Sequence, residues 1–313
     1  SGFTWLKDRD NATNHYLVNS SRDYKNALYS NTDGAEVFLT AGLRNPLKGG
    51  FEVLDGDPIN GSGRSFVSWN WVANGGTTVT NETGSITSTV QANTTAGFSI
   101  VQYTGTGSNG SVGHGLSSAP EWIMVKILDV ASVAGFTVST TADPSGFNNF
   151  LYLNETEVSR AYDNWQNTAP TNSVFTVSSS NVTNRSGSAM LAYCWHSVDG
   201  YSKFGRYTGN GSTDGPFVYT GFKPAFIMVK RTDTASSWAI TDTTRDPFNP
   251  TDKGLIPNLT SAEGTGYTLD HNSNGFKLRL SGTAYNASGG TYIYMAFAEH
   301  PFVGDGTSPV TAR

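Results

Sequence analysis

Six landmarks recur three times, in the same order, along the 313 residues of this chain. That internal repetition constrains the fold more than composition does. Each copy carries an apolar run ending in Lys-x-x-Asp: FTWLKDRD (Lys7, Asp10), EWIMVKILD (Lys126, Asp129) and PAFIMVKRTD (Lys230, Asp233). A second short run follows, HYLV, FTVS or WAIT, and then Arg22-Asp23, Ala142-Asp143 or Arg245-Asp246. Next come an Asn-containing segment (LYSNT, LYLNET, LIPNLT) and a run centred on Phe51, Phe175 or Phe276. The copy closes on an Asn-x-Ser-Gly turn at Asn60, Asn184 or Asn286. An apolar-aromatic run after it reaches Trp71, Trp195 or Phe297, eight residues past the turn's glycine.

The runs are short, alternating and rich in β-branched and aromatic residues, and no stretch keeps a 3.6-residue period. The chain therefore reads as all-β, built of tandem antiparallel β-sandwich repeats of lectin or jelly-roll type. The expected organisation is a first repeat at 1–76, a Gly/Ser/Thr/Asn linker at 77–96, further repeats at 97–199 and 200–302, and a tail at 303–313. Repeats two and three open with an extra strand, GFSIVQYTGTG (97–107) and GYSKFGRYTGNG (200–211). Repeat one has no such phrase, so its sheet is expected to lack an edge strand, to be covered by upstream sequence, the tail or a neighbouring subunit. The run TYIYMAFAE is apolar on both faces and is expected to be a central strand.

Charged residues make up only 14%, against roughly a quarter in average soluble proteins. The net charge is −5 and no basic run is present, which argues against nucleic acid as a partner. No apolar stretch reaches the ~18 residues of a membrane span. The single cysteine, Cys194, excludes an intramolecular disulfide and a Cys-based zinc site, and reads as a small buried hydrophobe. The five histidines lack metal-ligand spacing, and His196 and His300 read as surface residues at strand ends. Asp55, Asp57 and Asp214 stand in Asp-Gly-type turns without the rest of a calcium loop. No nucleophile elbow or phosphate loop occurs, so no catalytic residue, metal or cofactor is assigned. Lys-x-x-Asp reads as a strand end turning out to solvent, its Asp capping the turn. Two aromatics in polar loops, Trp165 in DNWQNTAPTN and Tyr285 in GTAYNASGG, are the candidates for stacking on a glycan.

The phrases GFSIVQYTGTGSNGSVGHGLSSAPEWIMVK, YSKFGRYTGNGSTDGPFVYTGFKPAFIMVKRTD and NASGGTYIYMAFAEHPF resemble a repeat domain of unknown function. It is common in structural, tail and tail-fibre proteins of tailed bacteriophages, marine ones especially, and the likeness covers residues 1 to about 302. The resemblance implies a non-enzymatic virion protein on the particle surface, in a tail fibre or appendage used in host attachment. Its expected partners are other virion proteins and copies of itself in a homo-oligomer. A carbohydrate-binding module recognising host surface polysaccharide is the alternative. A depolymerase acting through acids such as Asp143, Glu155 and Glu157 is a third.

Overall fold

The computed structural model describes residues 2–40, 43–47, 50–54, 56, 59–131 and 135–299. Asp55, Asp57, His300 and the tail at 303–313 lie outside them. The first unit supplies β1 (Gly2–Asp8), β2 (Tyr16–Asn19), β3 (Asn26–Tyr29), β4 (Val37–Phe38), β5 (Leu43–Leu47), β6 (Gly50–Val53) and β7 (Phe66–Val72). These form a sheet of order β4-β3-β2-β1-β7 and a β5-β6 hairpin. The second supplies β8 (Val79–Asn81), β9 (Ser88–Asn93), β10 (Phe98–Thr104), β11 (Gly110–Gly113), β12 (Trp122–Ile127), β13 (Thr137–Thr140), β14 (Asn149–Tyr152), β15 (Arg160–Ala161), β16 (Val174–Val177) and β17 (Ala189–Trp195). Its main sheet runs β15-β14-β13-β12-β17-β10-β9-β8, faced by the β11-β16 pair. The third supplies β18 (Ser202–Thr208), β19 (Phe217–Tyr219), β20 (Phe226–Arg231), β21 (Ala239–Asp242), β22 (Leu269–Asn272), β23 (Gly275–Leu278) and β24 (Thr291–Phe297). Here β18-β24-β20-β21 is faced by β19-β23-β22. The chain is thus all-β, with antiparallel ladders throughout its named strands.

Residues 77–96, expected as a linker, are not one. They form β8 and β9, and β9 pairs with β10 from Phe98↔Asn93 to Tyr103↔Ser88. Ile86 and Val90 enter the second unit's outer core. Buried Gln91 donates its Nε2 to the carbonyls of Ser20 (3.0 Å) and Gly76 (3.1 Å). The Gly and Ser content suggested flexibility, but Val, Ile and Thr at strand spacing allow pairing once an apolar neighbour covers one face.

Each main sheet has two buried faces. One packs against its own small outer sheet; the second unit buries Val101, Ile123, Val125, Ala192 and Cys194 there. The other face points to a core common to all three units. Equivalent positions supply it: Phe3, Trp122 and Phe226 from the first run; Leu17, Val138 and Ile240 from the second; Trp71, Trp195 and Phe297 from the closing strand. The rings interlock across unit boundaries: Phe3 lies 4.3 Å from Tyr193, and Trp71 lies 6.2, 5.5 and 5.5 Å from Trp195, Phe226 and Phe297. Truncating one such ring to Ala would cost roughly 3–5 kcal/mol.

Three main-chain hydrogen bonds close the ring of units. The carbonyl two residues past each recurrent lysine accepts an amide from another unit. Glu36 N donates to Leu128 O (2.8 Å), Ser159 N to Thr232 O (2.9 Å) and Glu263 N to Arg9 O (2.8 Å). Each donor stands five residues past the recurrent asparagine of its unit (Asn31, Asn154, Asn258). Unit one thus meets unit two, two meets three, and three returns to one: a pseudo-threefold ring in a single chain.

The recurrent polar residues hold this frame. Lys7, Lys126 and Lys230 are buried rather than turned to solvent, which corrects that expectation. Lys126 Nζ donates to Asp33 O of unit one (3.0 Å), and Lys230 Nζ to Thr156 O of unit two (3.2 Å) and to Arg231 O (2.6 Å). Lys7 Nζ stays within its unit, on Asp8 O and Asn11 O (2.6 and 2.9 Å). The acids three residues on bind the first amides leading into the closing strands: Ser65 N to Asp10 (2.5 Å), Ala189 N to Asp129 (3.2 Å) and Thr291 N to Asp233 (3.1 Å). The turn glycines Gly63, Gly187 and Gly289 share φ of +73°, +75° and +74°, a region open to glycine at little cost. In each unit the motif asparagine's Nδ2 donates to a carbonyl six residues back: Leu54 (3.2 Å), Ser178 (2.9 Å) and Leu280 (2.8 Å). Asn184 and Asn286 also clamp the turn after the extra strand, taking Thr106 N and Asn210 N and donating to Ser108 O and Ser212 O.

Two outcomes follow from these contacts. Asn184→Ala and Asn286→Ala should each lose about 3 kcal/mol in chemical denaturation, because buried partners are stranded; Asn60→Ala should lose about 1 kcal/mol. Desolvation lowers the three lysines to a pKa of about 8, against about 10.4 in an unfolded chain. From pH 8 to about 10 the unfolded chain holds protons that the folded chain has released, so stability should rise with pH. Lys230→Met should flatten that rise in calorimetry.

Candidate functional site

Neither glycan-stacking candidate presents an open ring. Trp165 is fully buried, edge-on to Phe147 (5.6 Å) and Phe175 (6.2 Å) in the second unit's outer core. Its loop is polar, but Phe175 of β16 draws the indole beneath it, where the side chain fills space as a core residue. Tyr285 is half-buried, edge-on to Tyr267 at 5.3 Å and packed on the third outer core. Its carbonyl accepts the Tyr207 hydroxyl at 2.8 Å, so it helps seat the extra strand. The three acids have local partners or face solvent: Asp143 accepts Ser145 N (2.9 Å), Glu155 pairs with Arg160 (3.1 Å), and Glu157 is exposed. His196, expected at the surface, is buried with Nδ1 on Ser197 O at 2.8 Å, because β10 and its flanks cover the end of β17. Cys194 is buried, and desolvation pushes its thiol far above its ordinary value.

A groove of about 420 Å³ with both apolar and charged walls runs the length of β7. Two main sheets create it. Trp69 and Trp71 of β7 form one wall, and Phe226, Phe297 and Tyr201 of the third unit form the other. Trp69 meets Phe226 edge-on at 5.6 Å. The groove exists because the sheets diverge here: β17 and β24 each have an outer neighbour, whereas β7 has none among the described residues. Among the described residues the first unit's sheet therefore has an uncovered edge at β7 and not at residues 3–7. β1 is paired on both sides, with β2 and β7.

A charged chain lies along one rim. Trp69 Nε1 donates to Asp242 Oδ2 (3.1 Å), which also accepts Arg245 Nε (2.5 Å). Arg245 Nη1 reaches Glu263 Oε2 (2.8 Å), and Arg9 grips the same carboxylate with two bonds of 2.9 Å. Burial raises the Glu263 pKa, but the hydrogen bonds and charges of Arg9 and Arg245 outweigh it and hold the carboxyl below its usual range. Bidentate pairing of this kind fixes orientation as well as adding energy. Among the described residues no group of three or more His, Cys, Asp or Glu is placed to hold a metal ion.

A second cleft, of about 570 Å³, opens at the far edge of the second unit between Phe150, Tyr152, Tyr162 and Asn164. Tyr162 is 60% exposed. The Arg160 guanidinium stands 5.4 Å from the rings of both Phe150 and Tyr152. Asn164 accepts Ser180 Oγ through Oδ1 (2.7 Å), while its buried Nδ2 has no partner among the described residues. Sequence reasoning passed over Tyr162, three residues before Trp165, because nothing in the pattern RAYDNW tells which ring its loop turns outward.

Residues 1–301 match the family described as a domain of unknown function, DUF7483, and the chain belongs to it. No curated protein and no solved structure matches it.

The ion network is expected to matter more than its partial exposure suggests. Glu263→Ala leaves the buried Arg245 guanidinium to Asp242 alone and removes the partner of Arg9, and should cost about 2 kcal/mol in denaturant titration, as for lost hydrogen bonds to charged groups. The low pKa of Glu263 also sets a sign: its contribution is present above its unfolded value, near 4.3, and is lost as pH falls through the folded one. The stability gap between wild type and Glu263→Ala should therefore close in acid.

Proposed function

We propose that this member of the family is a non-enzymatic structural component of a bacteriophage virion, carried on the particle surface in a tail fibre or appendage that takes part in host attachment. The observation that supports the reading most is the use made of the repeated residues. Lysine, aspartate, asparagine and glycine landmarks that recur in the three units go into main-chain clamps and inter-unit bonds. A chain selected to carry load and present surface would spend recurrent residues in this way, and the resemblance of its phrases to those of phage structural proteins is in keeping with the reading. Its partners on this reading are other virion proteins and further copies of itself. Mass spectrometry of purified particles should find the chain in fixed ratio to the major tail proteins; recovery only from the soluble lysate would reject the assignment.

A carbohydrate-binding role is the second reading, and the cleft at Tyr162 favours it. An exposed ring, a neighbouring Arg160 and an unpartnered amide nitrogen on Asn164 are the groups that stack on and hydrogen-bond to a sugar. Neither Trp165 nor Tyr285 carries this reading now. On a glycan array, Tyr162→Ala should weaken any saturable binding at least tenfold. Binding unchanged by that substitution would remove the cleft from consideration.

A further inference from the structure

The groove beside β7 has the dimensions and chemistry of a strand seat, and the other two units show what fills such a seat. In unit two β10 lies antiparallel along β17, with Phe98↔Trp195 and Ile100↔Tyr193. In unit three β18 lies along β24, with Ser202↔Phe297 and Phe204↔Met295. Each occupant also crosses to the preceding unit of the ring. Phe98 packs 6.4 Å from Phe3, and Phe204 packs 6.1 Å from Trp122. Gln102 of β10 donates Nε2 to Ser21 O and Oγ of unit one (3.1 and 2.8 Å). Carried once more around the ring, an occupant beside β7 would rest on Phe226, which stands where Phe3 and Trp122 stand. It would lie beside Thr244, which corresponds to Ser21 at fourteen residues past the recurrent lysine. Both line the groove.

The main chain of β7 is oriented for this. Arg9 N donates to Ser65 O on the β1 side, so by the two-residue alternation of a strand the amides and carbonyls of Phe66, Ser68, Asn70 and Val72 point away from β1. The matching residues are already bonded in the other units: His196 N donates to Gly97 O (3.0 Å) and Ala298 N to Tyr201 O (2.7 Å). Val72, at the same place in the first unit, is 58% exposed. Side chains specify the guest. Positions equivalent to Phe98 and Ile100 would enter the aromatic groove, whereas the alternate positions would meet Ser68 and Asn70, where units two and three have Ala192, Cys194, Tyr294 and Ala296. The rim carries both signs, with Arg245 against Asp242 and Glu299, so selection rests on main-chain pairing and alternating apolar residues.

We infer that β7 and its groove accept, from a partner polypeptide, one extended segment with large apolar side chains at alternate positions, which adds antiparallel to β7 and completes the first unit. The occupant is taken as a separate polypeptide, since both first-strand phrases within the described residues are already paired, as β10 and β18. The inference does not depend on the virion assignment.

The test titrates the full chain with synthetic peptides of residues 97–107 and 200–211. At least one should bind with one-to-one stoichiometry. It should slow amide exchange of Ser68 and Asn70 at least tenfold while leaving Val67 and Trp69, which face β1, unchanged. Ser68→Pro removes an outward amide without breaking a β1 bond, and should weaken binding at least tenfold with little change in thermal midpoint. Three results would overturn the inference. The first is absence of binding by both peptides at about millimolar concentration. The second is binding that leaves exchange at Ser68 and Asn70 unaltered. The third is exchange at those amides already slow in the free chain, which would mean that the seat is filled from within.

Discussion

Everything in this molecule depends on one shared aromatic core. No unit could bury the inner face of its main sheet alone: Phe3, Trp5, Trp69 and Trp71 on unit one, and their counterparts elsewhere, would stand in water. Only the three sheets together, with ring centroids 4.3–6.4 Å apart across their boundaries, remove that surface from solvent. Non-directional burial of this size drives association, but does not by itself choose a geometry. The choice is made by three equivalent backbone bonds, each from an amide five residues past an asparagine to a carbonyl two residues past a lysine.

The buried lysines show how the ring tolerates charge inside it. An ammonium in an apolar interior is costly unless its donors are satisfied; Lys7 and Lys230 reach a carbonyl oxygen at the strand end, and Lys126 and Lys230 reach one on a neighbouring unit. Each lysine therefore couples the fold of its own unit to the loop it touches. The third boundary departs from the pattern. Lys7 bonds within its unit, and the link between units one and three is carried by Arg9, Glu263, Arg245 and Asp242, which also border the groove. The place where the repeat symmetry is broken is thus the place where the surface is concave and mixed in charge. Structural regularity elsewhere makes that departure interpretable, since each missing contact has two filled counterparts.

The repeat, the all-β class, the burial of Cys194 and the central position of the last closing strand were legible in the order of residues. The extent of the second sheet was not, because β8 and β9 have the composition of a flexible tract and pair only with β10 beside them. Trp165 and Tyr162 sit three residues apart in one polar loop, one fully buried and the other exposed. Local composition is the same for both, and only the position of Phe175 beneath the loop separates them.

By itself the sequence determined the unit: period-two apolar runs and turn glycines that need positive φ are local instructions, and each acts within a few residues. The tertiary structure alone decided how the units meet. That the two apolar faces of one strand serve two different cores, that Lys126 and Lys230 reach into neighbouring units, and that the groove runs along β7, which has no outer neighbour among the described residues, are consequences of contacts between residues far apart in the chain. No pattern within one repeat encodes them, because the surfaces involved exist only after all three sheets have formed.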